Sequence, residues 1–241
     1  MTPSPGPFTP TGFPETCWSL VLRADLTLEG RNAALDELGR RYWYPVYAYL
    51  RQCGHDPDMA QGIARAFFGD LLQHAAAPRV DYPGKRFRDF LLQRLEAFLA
   101  ADWRRLPEAE LDGPAPELAG LERRYGLDNP PDITATEAFQ RGFAAEVMAR
   151  AQARLREEAV QGGHLGMYEA LLPHLVREPS SNELASIATQ LGQRPLALIV
   201  ALKRLRQRFR ELAGSELADT VGSHADLFDE QKTLHGFLRR S

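Results

Sequence analysis

The chain has 241 residues, a formal net charge of −3, 44% hydrophobic residues and 25% charged ones. That length supports one or two hydrophobic cores, and the near-balanced charge excludes recognition of a polyanion by bulk charge, so any nucleic-acid surface must be local. Two cysteines, Cys17 and Cys53, exclude a disulfide framework or a cysteine metal site and fit reduced thiols in a cytoplasmic protein.

Leu, Ala, Arg, Glu and Gln are abundant while Val, Ile and Thr are scarce, which predicts an all-α fold. No stretch approaches a membrane span, so membrane insertion is not expected. The start, MTPSPGPFTPTGFP, lacks the basic region and apolar run of a signal peptide. With five prolines and two glycines, residues 1–14 read as a disordered or loosely docked arm.

A first helical block is predicted over residues 15–105. In its early part Leu35, Leu38, Tyr42, Tyr49 and Leu50 mark one apolar face, and Pro45 allows a kink or break. The stretch GHDPDMAQGIARAFFGDLL, residues 54–72, reads as a turn at Gly54 and Pro57, a cap at Asp58, and a helix with Ile63, Phe67 and Leu71 facing inward. The turns after Asp58 hold Met59, Ala60, Gln61, Gly62, Ala64 and Ala66, with Arg65 the only charge. That is bare for a helix start, where the macrodipole favours acids. In GKRFRDFLLQRLEAFLAADWRR, residues 84–105, Phe87, Phe90, Leu91, Leu95, Phe98 and Leu99 give a wide helical stripe.

Residues 106–137 change character, with five prolines and eight acids against two basic residues. They read as an extended acidic linker with room for a short helix near 118–125. A second helical block is predicted over 138–220. Phe143, Val147, Ala151 and Leu155 define one of its helices. Further on, Ser180 and Glu183 fit a capping box, and Leu184, Ile187, Ala188 and Leu191 form an apolar face. Gly192 ends that helix, Pro195 suits the first turn of the next, and Leu198, Ala201, Leu202, Leu205 and Phe209 face the same core. Small Ala188, then Gly192, then Leu198 is helix-turn-helix spacing. Residues 221–241 form a tail of mixed composition.

Two basic clusters carry candidate chemistry. Arg194, Lys203, Arg204, Arg206, Arg208 and Arg210 lie in one stretch without an acid, which suits phosphate neutralisation; the plain alternative is a solvated face on a helix hairpin. The first turns of that helix, Pro195 to Ile199, offer no bidentate donors to base edges, so backbone gripping is better supplied than base reading. In the second cluster Lys85, Arg86, Arg88, Arg94, Arg104 and Arg105 interleave with Phe87, Phe90, Phe98 and Trp103, a pattern that can hold an unstacked strand; equally, the aromatics are core and the arginines a wet face. The six histidines are scattered without metal spacing, no Gly-rich phosphate loop occurs, and no enzymatic role, cofactor or metal is expected.

Taken together and in order, RYWYPVYAYLRQCGHDPDMAQGIARAFFGDLL, GKRFRDFLLQRLEAFLAADW and ELASIATQLGQRPLALIVALKRLRQRFREL resemble the bacterial ECF (extracytoplasmic-function) sigma factors. TCWSLVLRA, LERRYGL and ARLREEA look like a sub-group with extended linkers. The resemblance covers roughly residues 16–225. It implies a transcription initiation factor of two helical domains, a region-two-like bundle over 15–105 and a region-four-like helix-turn-helix over 138–220, joined by the acidic linker. The implied partners are core RNA polymerase and promoter DNA, with room for an anti-sigma or other regulatory protein. The resemblance puts Lys85, Arg86, Arg88, Arg94, Trp103 and Arg104 on the opened −10 strand. It puts Arg194, Lys203, Arg204, Arg206, Gln207 and Arg210 on the −35 element.

The departures are local and functional. The helix after GHDP carries several acids in the family, which meet the basic polymerase clamp; here Asp58 is followed by Met59, Gln61, Gly62 and Arg65, so the docking face is altered while Phe67 and Phe68 are kept. Phosphorylation cannot restore the charge, because residues 55–68 contain no Ser, Thr or Tyr. The basic run usual after the strand-handling helix is replaced by acidic LPEAELDG, and Ile199 stands where a polar residue is common. Two readings follow: a sigma factor that docks on polymerase atypically, or a sigma-like adaptor or regulator that has lost stand-alone initiation.

Overall fold

The computed structural model describes residues 28–73, 86–101 and 116–218, apart from the side chains of residues 28, 31 and 218. The predicted arm over 1–14, the stretch TCWSLVLRA and the tail over 221–241 lie outside the described residues. Among the described residues the fold is all-α, as composition predicts. Its elements are α1 (Leu28–Gln52), α2 (Pro57–Gln73), α3 (Phe87–Ala100), α4 (Leu118–Asp128), α5 (Ala135–Gln161), α6 (Leu165–Leu171), a 3₁₀ turn (Leu172–His174), α7 (Ser181–Leu191) and α8 (Pro195–Ala218).

The larger core is built on α1. Leu35, Leu38, Tyr42, Tyr49 and Leu50 are buried, as their spacing predicts, and so are Trp43, Tyr44, Val46 and Tyr47 on the flanking positions. The helix is therefore surrounded rather than merely half-covered. It runs unbroken through Pro45. A proline inside a helix removes one ladder bond and crowds the preceding turn, and here its backbone serves as a contact surface instead. A Cβ added at Gly142 of α5 would sit 2.9 Å from the Pro45 Cα. The glycine lets α5 cross α1 with backbone nearly touching backbone. Around that crossing Tyr42 stacks on Phe143 with ring centroids 5.6 Å apart, and Trp43 stacks on Phe68 at the same distance.

α2 packs Ala60, Ile63, Ala64, Phe67, Phe68, Leu71 and Leu72 into this core. Its cap is not Asp58: the carboxylate of Asp56 accepts the Met59 N–H at 2.8 Å, and Pro57 takes the first helical position, where a missing N–H costs nothing. In α3, Phe87, Leu91, Leu95 and Phe98 are buried, and Phe98 meets Phe67 edge-on at 5.6 Å.

α5 is the structural surprise. It begins at Ala135 behind a capping box in which Thr134 and Glu137 satisfy each other's backbone N–H groups. At 27 residues it is about 40 Å long. Ala138, Phe139, Phe143, Ala144 and Val147 belong to the larger core, whereas Ala151 and Leu155 belong to a smaller one with Tyr168 and Leu212. The boundary expected at 137/138 thus falls at the start of one continuous helix that serves both cores. α8 returns antiparallel to it, and Leu217 at its end is again in the larger core.

Candidate nucleic-acid interface

The hairpin of α7 and α8 forms as its residues dictate. The Ser180 hydroxyl accepts the Glu183 N–H, and the Glu183 carboxylate returns to the Ser180 N–H at 2.7 Å. Gly192 closes α7 in the left-handed region at φ 61°, a conformation a Cβ would strain. Gln193 N–H then donates to the Ala188 carbonyl at 2.9 Å, and Pro195 opens α8. Ala188 and Leu198 are buried where the helices cross, while Leu184, Ile187 and Leu191 are only half-buried.

The basic residues of α8 divide into two groups. Arg206 is turned inward: its guanidinium donates to the carbonyls of His174, at 2.7 Å, and Arg177, at 2.9 Å, and pairs with Glu178. It fastens α8 to the loop behind the 3₁₀ turn, and its expected place on a DNA face is corrected accordingly. Arg208 is bidentate to Glu158 of α5 at 2.7 and 2.8 Å and also meets Glu211. These partners hold the carboxyls of Glu158 and Glu211 below the usual carboxylate range, mainly through hydrogen bonds from Arg208 and, for Glu211, first from Gln207.

The second group remains outward. Lys203, Arg204, Gln207 and Arg210 are exposed and together line a shallow concavity of about 460 Å³ on α8. Arg194 is exposed at the turn, further along the helix on the side of Arg204. Sequence inspection missed a partial neutralisation: Arg206 pairs with Glu178, and Arg208 with Glu158 and Glu211. In front of the cations lie Leu196, Ile199 and Val200, which are 72%, 49% and 44% exposed. The leading turns of the would-be reading helix are apolar and uncovered by the described residues.

Of the second predicted cluster, Arg86, Arg88 and Arg94 lie among the described residues. Lys85, Trp103 and Arg104 lie outside the described residues. Arg88 is buried, with its guanidinium over the Phe143 ring at 5.5 Å and an ion pair to Asp89 at 3.7 Å. It cannot reach a bound strand from there, so that assignment is corrected. Arg86 is half-buried at the start of α3, and Arg94 pairs with Asp70 of α2 at 3.4 Å. Phe87 and Phe98 are core. On this helix the plainer reading of the aromatics is the one the packing supports.

The α2 face expected to dock is partly occupied. Asp58, Met59 and Gly62 are exposed on one side of α2, and nothing lies within 4 Å of where a Gly62 Cβ would be. Arg65 is half-buried. Gln61, however, donates to the Pro116 carbonyl at 2.8 Å, which ties the lead-in of α4 to this helix.

α4 itself is the polar element that sequence reading undervalued. Glu122 accepts from Arg51 at 2.7 and 3.0 Å and from the Tyr47 hydroxyl at 2.5 Å. Tyr44 donates to Asp128, Tyr125 to Gln52, and Arg124 lies over the Tyr44 ring while reaching Glu146 of α5. Burial, then the carboxylate at their hydroxyls, pushes Tyr44 and Tyr47 well above the ordinary phenol range. Burial likewise pushes the Tyr49 hydroxyl up to about 12. The Glu122 carboxyl is held down by the hydrogen bond from Arg51, while burial holds Glu146 up despite Arg124. The second half of the predicted linker is thus a docked helix. The spacing of Glu122, Tyr125 and Asp128 on one face was its signal.

Among the described residues no cluster of His, Cys, Asp and Glu is placed to hold a metal ion, and no helix is long and apolar enough to cross a membrane. No family model, no curated protein and no solved structure matches this chain.

Proposed function

We propose that this protein is a sigma-like transcription factor that engages core RNA polymerase and grips promoter DNA through the α7–α8 hairpin. The observation that carries the reading is the cluster of Lys203, Arg204, Gln207 and Arg210 on the open face of a helix-turn-helix hairpin. Cations on one helical face neutralise phosphates and release counterions, so affinity gained this way falls steeply with salt. The collinear resemblance to ECF sigma factors supports the same assignment and supplies the polymerase as partner.

The grip is expected to be stronger than the sequence preference. Leu196, Ile199 and Val200 occupy the leading turns, where base-reading side chains need donors and acceptors. The same exposed apolar residues, with the acid-poor face of α2, favour a second reading: an adaptor or regulator that has kept the fold without stand-alone initiation.

Binding to core polymerase and to duplex DNA, each at low and moderate salt, separates the two. The sigma reading expects both, with DNA affinity falling as salt rises and the slope reduced by about one on Arg204→Gln. Absence of polymerase binding at both salts overturns it as a stand-alone factor.

A further inference from the structure

Between the end of α5, α6 and the first half of α8 lies an open groove of about 750 Å³. Leu155, Met167, Tyr168, Leu171, Val200 and Leu205 supply its apolar surface, and Leu196 stands at one end. Arg194 and Arg204 stand on its rim and make no ion pair with the described residues; Arg208, at the far end, is engaged with Glu158. A small apolar ligand needs most of its surface enclosed. Here Leu196 is 72% exposed, and the trough is open along its length, a shape that suits the apolar face of an amphipathic helix with acids toward the cations.

We propose that the occupant is the chain's own C-terminal segment, residues 226–238. Three observations converge on it. The first is pattern: in ADLFDEQKTLHGFL, Leu227, Leu234 and Leu238 fall within one narrow arc of a helix, with Phe228 and Phe237 flanking them. The second is charge: Asp226 and Glu230 fall on one flank of that arc at the front of the segment, the complement of Arg204 on the rim. The third is reach. From Ala218 back to Arg204 along α8 is about 21 Å, and the seven residues 219–225 span at most about 25 Å when extended. Residues 227–238 as a helix are about 18 Å long, the distance from Arg208 to Leu196 along α8. The segment therefore turns back antiparallel to α8, sets its acids beside Arg204, and runs its leucines over Val200 toward Leu196. This occupancy engages Arg204, which also lies on the proposed DNA face.

Hydrogen exchange by mass spectrometry on the full chain tests it. Ending the chain at Thr220, or placing Leu234→Asp and Leu238→Asp together in the full chain, is expected to speed exchange in α6 and over residues 199–208 about tenfold, with α1 unchanged. A synthetic peptide of residues 221–241 is expected to restore protection to the shortened chain. Arg204→Glu is expected to open the groove, and Asp226→Arg with Glu230→Arg to close it again. If the shortened chain loses protection in α1 as well, it has lost its fold, and the double Asp variant of the full chain decides. Unchanged exchange at the groove in that variant overturns the proposal. So does groove protection that disappears on dilution, which identifies a second copy as the occupant.

Discussion

Gly142→Ala is the sharpest probe of how the larger core is held, because the new methyl meets backbone rather than side chain. Its Cβ would lie 2.9 Å from the Pro45 Cα, 3.3 Å from the Pro45 N and 3.4 Å from Tyr44 Cδ1. Carbon pairs sit comfortably at about 3.5–4.0 Å, so α1 and α5 must separate by about 0.6 Å or more. A rotamer change cannot relieve this contact, and the Pro45 ring fixes its own backbone angle. Separation loosens the Tyr42–Phe143 stack beside it. Overpacking of this kind costs about 1–3 kcal/mol, and alanine returns about 1 kcal/mol of helix propensity. The net expectation is a loss of up to about 2 kcal/mol, or up to about 8 °C in Tm for a chain of this size. Gly62→Ala is the internal control: it lies on an exposed helical position with open space around the new Cβ and is expected to gain about 1 kcal/mol. Thermal and urea unfolding followed by helical circular dichroism read both. If Gly142→Ala gains as much stability as Gly62→Ala, the close backbone crossing is not what holds α5 on α1.

Other expectations rest on single side chains. Gly192→Ala forces a Cβ into the left-handed region and is expected to cost about 1–2 kcal/mol in urea unfolding. Arg206→Met is expected to lower Tm by several degrees, because it strands the His174 and Arg177 carbonyls, whereas Lys203→Gln is expected to leave stability within about 0.5 kcal/mol and to weaken only the proposed DNA binding. Glu122→Gln and Glu146→Gln are expected to differ in the sign of their pH dependence. The Glu122 carboxyl is lowered below 4.5, so its contribution is complete above that pH and is lost as pH falls through the lowered value; its removal costs about 1 kcal/mol at pH 7 and less at pH 4. The Glu146 carboxyl is raised by burial, so its contribution is present below 4.5 and lost as pH rises; Glu146→Gln therefore becomes relatively more favourable at pH 7 than at pH 4. Urea unfolding of both variants at the two pH values measures the difference.

Helical periodicity located the core residues of α1, α2, α3 and α5, because burying apolar side chains on one face is what those segments do. The hairpin was legible for a second reason: its capping box, left-handed glycine and first-turn proline are local chemistry with one structural meaning. What sequence reading lost were pairings between distant segments. Proline and acid content suggested an extended linker through residue 137, although Thr134 and Glu137 already spelled the capping box that starts α5. Acids in a presumed linker look solvated until Arg51, Tyr47 and Tyr44 of α1 are found opposite them. The same holds for the basic residues. Arg88, Arg206 and Arg208 were read as wet or DNA-facing because periodicity cannot distinguish an arginine in water from one over a phenylalanine ring or against a carbonyl.

The continuity of α5 changes what the two basic and polar ends of the molecule can do independently. Glu216, 7% exposed near the end of α8, accepts from Arg150 at 2.9 Å and Arg154 at 3.0 Å, both on α5. Burial works against its charge, but those hydrogen bonds win and hold its carboxyl below the usual range. Ala213 packs against both cores, and Leu217 lies in the larger one. Moving the α7–α8 hairpin relative to α1 would expose Leu217 and part the buried Glu216 carboxylate from its two guanidiniums, a costly pair of losses. The extended linker read from the acidic, proline-rich stretch is therefore not extended over residues 118–128, where α4 is pinned to α1 through Glu122 and Asp128. The hairpin and the α2 face instead ride on one scaffold. Any partner that touches both must accept their spacing as the fold sets it, or first break the Glu216 contacts.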